Sequence, residues 1–569
     1  MRQDRSGTTF DVGGAGQPRS ASFRLAPPPV KDLRYSALSV TRQKSGGHPE
    51  RRTLWTTRIT GGTPVPPWPA ARARNDFPME LIALLAVPVV AGLLCLATDS
   101  PRAWERLNLL AFAGLALLAL DLGATVLAHG PVTALGGFLR ADALSVLVIG
   151  LTAFVALVTA IYAVGYFRRD QRDGRIAVRQ LRRYYVLTPL FVGVMLLVPL
   201  ADNLGVMWVA TEGATLASVL LVTFYNQKTS FEAGWKYIII GSVGISLALF
   251  GTVLTYYSAV GVLGPDTAHG MNWSVLVVIA EKFDPRAMRL AFVLVLIGYG
   301  TKAGLVPMHT WKPDAYAEAP VPTAALLGAA FINCAIYGIV RFDVLAEKCL
   351  GHDFPGKLLA GFGLASILVA APFVLAQRNF RRLLAYSSID HAGIMVAAIG
   401  FGGKLGALGA ALHMLFHAAT KPLLFFCAGN VQQHYGTPFF LKIRGVIRTL
   451  PWTGGLFLLA ALAVTGTPPF SLFQSEFTVL SAALAANRGW SASLFLAGVV
   501  TIFAGFLVHM SRLNLGSPEA GSPARAAECP WKLTAILFVA TVVILLGIWL
   551  PGPLYQLIQQ SACIIGGES

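Results

Sequence analysis

The sequence predicts an all-α polytopic membrane protein, and three observations predict it. The 569-residue chain is 55% hydrophobic and only 13% charged, with a mean hydropathy of +0.62. Its apolar residues gather into fourteen stretches of about twenty residues, the length that an α-helix needs to span hydrocarbon. The charges gather between those stretches, with a few exceptions that carry the functional argument.

Residues 1–78 are a different material, rich in Pro, Gly and Arg, with 13 basic residues against five acidic ones and no apolar run. They have neither a signal-peptide core nor the apolar residues of a folded domain, so they are expected to be a disordered basic tail. Met79 then opens MELIALLAVPVVAGLLCLA, which reads like the natural start of a membrane protein. The tail is therefore expected to be a start-site artefact or dispensable.

The apolar stretches lie near residues 80–97, 107–128, 141–167, 184–200, 203–225, 237–259, 290–311, 317–340, 358–377, 384–401, 405–430, 452–487, 491–511 and 533–550. The seventh and twelfth contain Pro307 and Thr467-Pro468-Pro469 and are expected to be broken helices, tolerated where protein or a cavity surrounds the backbone. The boundary at 201–203 is the shortest gap. Loops on one side of this topology carry 21 basic residues and those on the other side nine. Basic loops face the cytoplasm, which places Met79 and the C-terminus outside. The stretch FRRDQRDGRIAVRQLRR, from Phe167 to Arg183, contributes most to that count. The net charge of +17 thus reflects topology rather than nucleic-acid binding.

Several function classes find no support. Cys95, Cys334, Cys349, Cys427, Cys529 and Cys563 form no C-x-x-C pair, so no iron–sulfur cluster, haem or other cofactor is expected. Neither a phosphate-binding glycine loop nor a dinucleotide fingerprint is present.

The exceptions are charges at membrane depth. His413, His417 and Lys421 recur at steps of four in LHMLFHAATKPLLFFCAGN, climbing one helical face, with Pro422 next to the lysine. His-x-x-x-His can grip zinc, but HMLFH lacks the glutamate of the metalloprotease signature. Glu212 sits mid-stretch in NLGVMWVATEGATLASVLLV, Lys302 just before the Pro307 break, and Glu476 just after the second break. Charges buried in hydrocarbon are costly, mark function by default, and invite pairing. A Glu/Lys contact that opens and closes moves a proton on and off.

Four segments are recognisable: YGTKAGLVPMHTWKPDAYAEAPVPTAALL, QRNFRRLLAYSSIDHAGIM, LHMLFHAATKPLLFF and GTPPFSLFQSEF. They resemble, in order, the antiporter-like proton-translocating subunits of respiratory complex I, membrane-bound hydrogenases and multi-subunit cation/proton antiporters. The hydrogenase-4 component F type is most similar, and the match covers nearly all of residues 80–550. The resemblance implies two inverted five-helix repeats, each with a broken helix. It identifies Glu212 as the helix-five glutamate, Lys302 as the helix-seven lysine, Lys421 as the helix-eleven lysine and Glu476 as the helix-twelve exit acid. Lys236, in EAGWKY, joins the candidate pathway. Asn333 stands where many members have a helix-eight lysine or histidine, so the central relay is expected to lean on water and on His413 or His417. Asn379-Phe380-Arg381-Arg382 also departs from the family's usual Asp-x-Lys-Lys/Arg. No long lateral helix follows the last stretch.

The expected organisation is a tail (1–78), flanking helices (79–200), a first repeat (201–340), a second repeat (341–490) and C-terminal helices (491–569). The expected function is a proton-translocating subunit, without a redox centre of its own, of a hydrogenase-4-like or NADH:quinone oxidoreductase-like complex in a bacterial inner membrane. Its partners would be other membrane subunits and, through them, a soluble redox arm. A subunit of a multi-subunit Na+/H+ antiporter and the membrane half of a proton-driven inorganic-carbon uptake system share the same buried residues. A passive anchor does not explain them.

Overall fold

In the computed structural model of the chain, residues 79–264, 269–517 and 523–567 are described; the expectations for residues 1–78 fall outside them. Among the described residues six long helices come first: α1 (Met79–Ala97), α2 (Pro101–His129), α3 (Ala143–Arg172), α4 (Val178–Leu200), α5 (Leu204–Val222) and α6 (Lys228–Leu263). A small antiparallel hairpin, β1 (Val132–Ala134) with β2 (Leu139–Ala141), fills the α2–α3 turn and pairs Thr133 with Arg140. The short 201–203 gap is a true boundary. Asn203 caps α5 through its side chain, which accepts from the amides of Gly205 (2.9 Å) and Val206 (3.2 Å).

A short α7 (Trp273–Ile279) leads into α8 (Pro285–Ala303) and α9 (Trp311–Glu318). α10 (Val321–Leu326) runs through a wider turn at Leu327–Phe331 into α11 (Ile332–Leu350) as one continuous span. Then come α12 (Asp353–Ala376), α13 (Phe380–Phe401) and α14 (Gly403–Tyr435). α15 (Val446–Thr449), α16 (Pro451–Val464), α17 (Ser471–Ala485), α18 (Gly489–Leu515), α19 (Pro530–Ile548) and α20 (Gly552–Ile565) complete the chain.

Twelve of the described helices are long and apolar enough to cross a membrane, and the protein is an all-α polytopic membrane protein. The other two of the fourteen expected stretches are the interrupted ones, α8 with α9 and α16 with α17. α8 stops at Gly304, whose φ of 76° closes the helix in the left-handed conformation that glycine adopts freely. The carbonyls freed by this stop find new donors. Leu305 N donates to Gly300 O (2.8 Å), Trp311 Nε1 to Thr301 O (2.9 Å) and Lys312 Nζ to Ala303 O (2.5 Å). The amide of Val306 donates to Ser366 Oγ of α12 at 3.0 Å. A break at membrane depth is stable because protein takes the place of water here.

Burial orders the bundle. The apolar windows of α10–α11, α13 and α14 are wholly buried, whereas α1, α2 and α18 bury a third or less of theirs. The exposed side chains of the outer helices are apolar, as Leu110, Leu117 and Leu120 of α2 and Phe231, Trp235 and Val243 of α6 show, which suits hydrocarbon rather than water. α12 and α13 approach closely through small residues. A Cβ on Gly363 would come within 2.5 Å of the Ala397 amide nitrogen.

Four basic residues that the sequence assigns to loops are buried: Lys312, Arg341, Arg381 and Lys532. Three belong to the 21 of the basic side and Arg341 to the nine of the other. Each has local partners that a charge count cannot reveal. Arg341 bonds Asp142 at 2.6 and 2.7 Å and lies over the Trp273 ring, and Arg381 donates to the carbonyls of Tyr316 (2.6 Å) and Ala319. Lys532 donates to Gln433 Oε1 at 3.1 Å. The majority on the basic side is unchanged.

Candidate functional site

The first group of buried charges joins α5, α6 and α8. Glu212 lies in the middle of α5, and Lys302 is the last residue but one of α8. Lys302 Nζ donates to Glu212 Oε2 at 2.9 Å and to Thr215 Oγ1, one turn along α5, at 2.5 Å. The other carboxylate oxygen of Glu212 accepts from Ser242 Oγ of α6 at 2.8 Å. Gly241, beside Ser242, leaves room for the ammonium: a Cβ there would lie 3.1 Å from Nζ. The Lys302 side chain is fully enclosed, while that of Glu212 is 19% exposed.

Lys236 stands apart from this group. It is half exposed and bridges Glu232 (2.7 Å) and Asp314 (2.9 Å), and Asp314 also binds Arg382 at 2.8 Å. This is a surface ion-pair network at the ends of α6, α9 and α13.

The middle of the bundle holds a lysine that sequence reasoning passed over. Lys312, at the start of α9, reaches the Ala303 carbonyl immediately after Lys302, and its second acceptor is the Ser388 carbonyl of α13 at 3.4 Å. Its charge also lies 5.7 Å from the centre of the Tyr316 ring. Asn333 is fully buried on α11 and donates to the Ala329 carbonyl of the preceding turn at 2.8 Å, leaving Oδ1 without a partner among the described residues.

The third group joins α13, α14 and α17. Lys421 donates to Ser387 Oγ at 2.9 Å and to the Leu384 carbonyl at 3.3 Å. It therefore meets neutral oxygens rather than Glu476. His413 bridges two helices: Nε2 is 3.0 Å from Nδ1 of His391 on α13, and Nδ1 is 2.9 Å from Ser475 Oγ on α17. His417 lies with its ring centre 5.0 Å from that of His391, and both its nitrogens lack hydrogen-bond partners among the described residues. Glu476 follows Ser475 and packs directly over Gly466, whose missing side chain makes room for the carboxylate. Asp390, one residue before His391, is buried as well.

The expected stripe His413, His417 and Lys421 thus exists on α14, but its members turn to different neighbours. An imidazole can accept at one nitrogen and donate at the other, and a hydroxyl does both, so His391–His413–Ser475 can pass a proton between helices. Sequence reasoning missed Lys312, Ser387, Asp390, His391 and Ser475. The signal for His391 and Asp390 was present, since SSIDHAGIM places both inside an apolar stretch. Lys312 follows a proline break and reads as a loop residue.

Long apolar helices around two broken ones, with lysines, carboxylates and histidines held between them, define a polytopic membrane protein that keeps ionisable groups in its interior. The family model described as NADH:quinone oxidoreductase/Mrp antiporter, TM, matches residues 201–515, more than half of the chain, and the chain belongs to that family. It is 36% identical over 431 residues to the Hydrogenase-4 component F homolog of Methylacidiphilum infernorum, covering 76% of this chain and 89% of that protein. It is 29% identical over 406 residues to the NADH-quinone oxidoreductase subunit N of Desulforudis audaxviator, covering 70% and 78%. Its fold matches a chain of the Mrp complex from a Dietzia species with a TM-score of 0.75 at 20% identity, over 86% of this chain and 98% of that one.

Proposed function

We propose that this chain is a proton-translocating membrane subunit of a redox-driven complex of the hydrogenase-4 or NADH:quinone oxidoreductase kind. One observation carries the reading: buried ionisable groups recur across the bundle, Lys302 paired with Glu212, Lys312 between the Ala303 and Ser388 carbonyls, and Lys421 with His391, His413 and Glu476. Relatives that are hydrogenase-4 and NADH-quinone oxidoreductase subunits support the kind of complex.

In this reading Glu212 and Lys302 are the input switch. When their contact is closed, the carboxylate holds the ammonium charged; when it opens, the enclosed lysine can release its proton toward Lys312. Lys421 receives it, with Ser387 as its hydroxyl partner, and His391, His413 and Ser475 lead across to α17, where Glu476 is the exit acid. Asn333 supplies a carbonyl oxygen to water but holds no proton. Lys236 steadies the surface ends of α6 and α9.

Residues 201–340 and 341–490 are two repeats of opposite orientation, each with one broken helix, and both interrupted stretches cross the membrane. The chain sits in a bacterial inner membrane with Met79 and the C-terminus outside, residues 1–78 being dispensable. It contributes no redox centre and meets a soluble redox arm through other membrane subunits.

The test is proton uptake by vesicles containing the reconstituted complex during turnover. Lys302→Ala should assemble and transfer electrons without moving protons; normal uptake in that variant would sink the assignment. A cation/proton antiporter is the second reading, supported by the fold shared with the Mrp complex chain. Exchange of sodium for protons in the absence of redox substrate would favour it.

A further inference from the structure

A further buried carboxyl lies outside these groups. Asp343, on α11 seven residues before the helix ends, is wholly buried, and neither of its oxygens has a hydrogen-bond partner among the described residues. A carboxylate charge cannot be held that way, so the side chain is stable there as the neutral acid. As a packing element it is a poor choice, because a leucine would fill the same space without an unsatisfied oxygen.

What lies beyond Asp343 gives it a purpose. Glu347 is four residues on, so the two carboxyls share one face of the helix a single turn apart. α11 then stops at Gly351, with φ 76°, and the chain reverses into α12. That reversal folds His352 back over the last turn, where its Nδ1 pairs with Glu347 Oε1. The imidazole is wedged between helix ends, for a Cβ on Gly356 would come within 2.6 Å of Nε2. The three side chains grade from core to surface: none of Asp343 is exposed, 17% of Glu347 and 36% of His352. Arg488, just after α17, donates to the Gly400 carbonyl at the end of α13 at 2.8 Å. The ends of α11, α13 and α17 therefore share one face of the bundle, the face toward which α17 leads from Glu476.

We propose that Asp343, Glu347 and His352 are a proton-exchange site connecting the interior of α11 to water at that face. Asp343 is the proton-binding group, Glu347 the carrier and His352 the imidazole that orients it. The O–H bond of Asp343 breaks as one forms on Glu347, and Glu347 releases the proton to water. Asp343 is left as a carboxylate until a proton from the interior restores it. This rests on the proton-translocating reading and gives the chain an opening distinct from Glu476, on a different helix.

Infrared difference spectroscopy of the full chain in lipid vesicles tests it directly. Asp343→Asn should remove one carboxylic-acid C=O band, and in the native chain that band should shift promptly when the outer medium is changed to D2O. Glu347→Gln should slow that shift about a hundredfold, the scale on which a positioned proton carrier acts. Should the Asn variant fold poorly, Asp343→Glu should instead keep the band at a displaced frequency. No band lost on substitution, or exchange in Glu347→Gln as fast as in the native chain, would overturn the proposal. These signals read exchange rather than transport, so a chain that exchanges but does not pump would count against the proposed function alone.

Discussion

Lys302 and Glu212 meet at 2.9 Å across two helices, and the lysine is the more deeply buried of the pair. The asymmetry sets what each substitution does. Glu212→Gln leaves an enclosed ammonium with Thr215 as its remaining strong partner and should lower stability by about 3 kcal/mol, as stranding one member of a buried pair does. Lys302→Ala leaves a carboxylate that reaches the edge of the bundle and keeps Ser242, so the loss should be smaller. Proton translocation should vanish in both. Thermal unfolding in detergent beside vesicle proton uptake separates the two effects, and equal stability losses would contradict this geometry.

Gly241 tests the same contact without touching either charge. The added methyl of Gly241→Ala would sit 3.1 Å from Lys302 Nζ and must displace it. Translocation should fall severalfold while assembly is retained. An alanine variant that pumps at the native rate would mean that the ammonium has more room than the packing allows.

Much of this was legible in the sequence, for a physical reason. A charge inside twenty apolar residues can be read without a structure, and Glu212, Lys302, His413, His417, Lys421 and Glu476 were all found that way. The two breaks were legible where proline stands with glycine or a second proline: Gly304 ends α8 shortly before Pro307, and Thr467-Pro468-Pro469 separates α16 from α17, whereas lone prolines such as Pro372 and Pro422 are carried inside helices. What stayed hidden depends on partners distant in the chain. Lys312 and Arg381 look like loop charges until the ends of α8 and α9 fold their carbonyls around them. Lys236 is the opposite case: it lies on an apolar helix, and its ion pair at the surface is with Asp314, 78 residues later, which the sequence does not announce. The expected meeting of Lys421 with a carboxylate gave way to Ser387 and a carbonyl, because α13 and not α17 presents the nearest oxygens.

Lys312 should matter for structure as well as transport. Its ammonium satisfies the Ala303 carbonyl at the open end of α8. Lys312→Met keeps the bulk and loses the donor, which should cost about 1.5–3 kcal/mol, the range for a hydrogen bond to a charged group. Translocation should stop too if protons pass from Lys302 through this position. A stable, fully active methionine variant would reduce Lys312 to a spectator.

His352 offers a prediction in pH. Its hydrogen bond to Glu347 holds the imidazole above its ordinary value of 6.5, with burial and the nearby Arg488 opposing. A raised folded-state value means that the protonated ring favours the folded chain. The contribution is therefore fully present below the unfolded value and is lost as pH rises through the folded one. Titration of this ring by NMR should give a midpoint above 6.5 that falls in Glu347→Gln. An unchanged midpoint in that variant would exclude the contact as its cause.

The histidines of α14 should rank by their bonds. His413 connects His391 to Ser475, whereas among the described residues neither nitrogen of His417 has a hydrogen-bond partner. His413→Ala cuts the direct connection from α13 to α17 and should reduce proton uptake about a hundredfold, the low end of the range for loss of a positioned proton carrier. His417→Ala should be milder, and Ser475→Ala should resemble His413→Ala more than His417→Ala. Lys421 adds the decisive comparison. Lys421→Ala should abolish uptake, and Lys421→Arg should be impaired as well, because a guanidinium keeps its proton and cannot hand it on. Ser387→Ala should weaken uptake without abolishing it, since the Leu384 carbonyl still accepts from the ammonium. An arginine variant that pumps at the native rate would make Lys421 a fixed charge, and the route would then run through His391 and His413 without it.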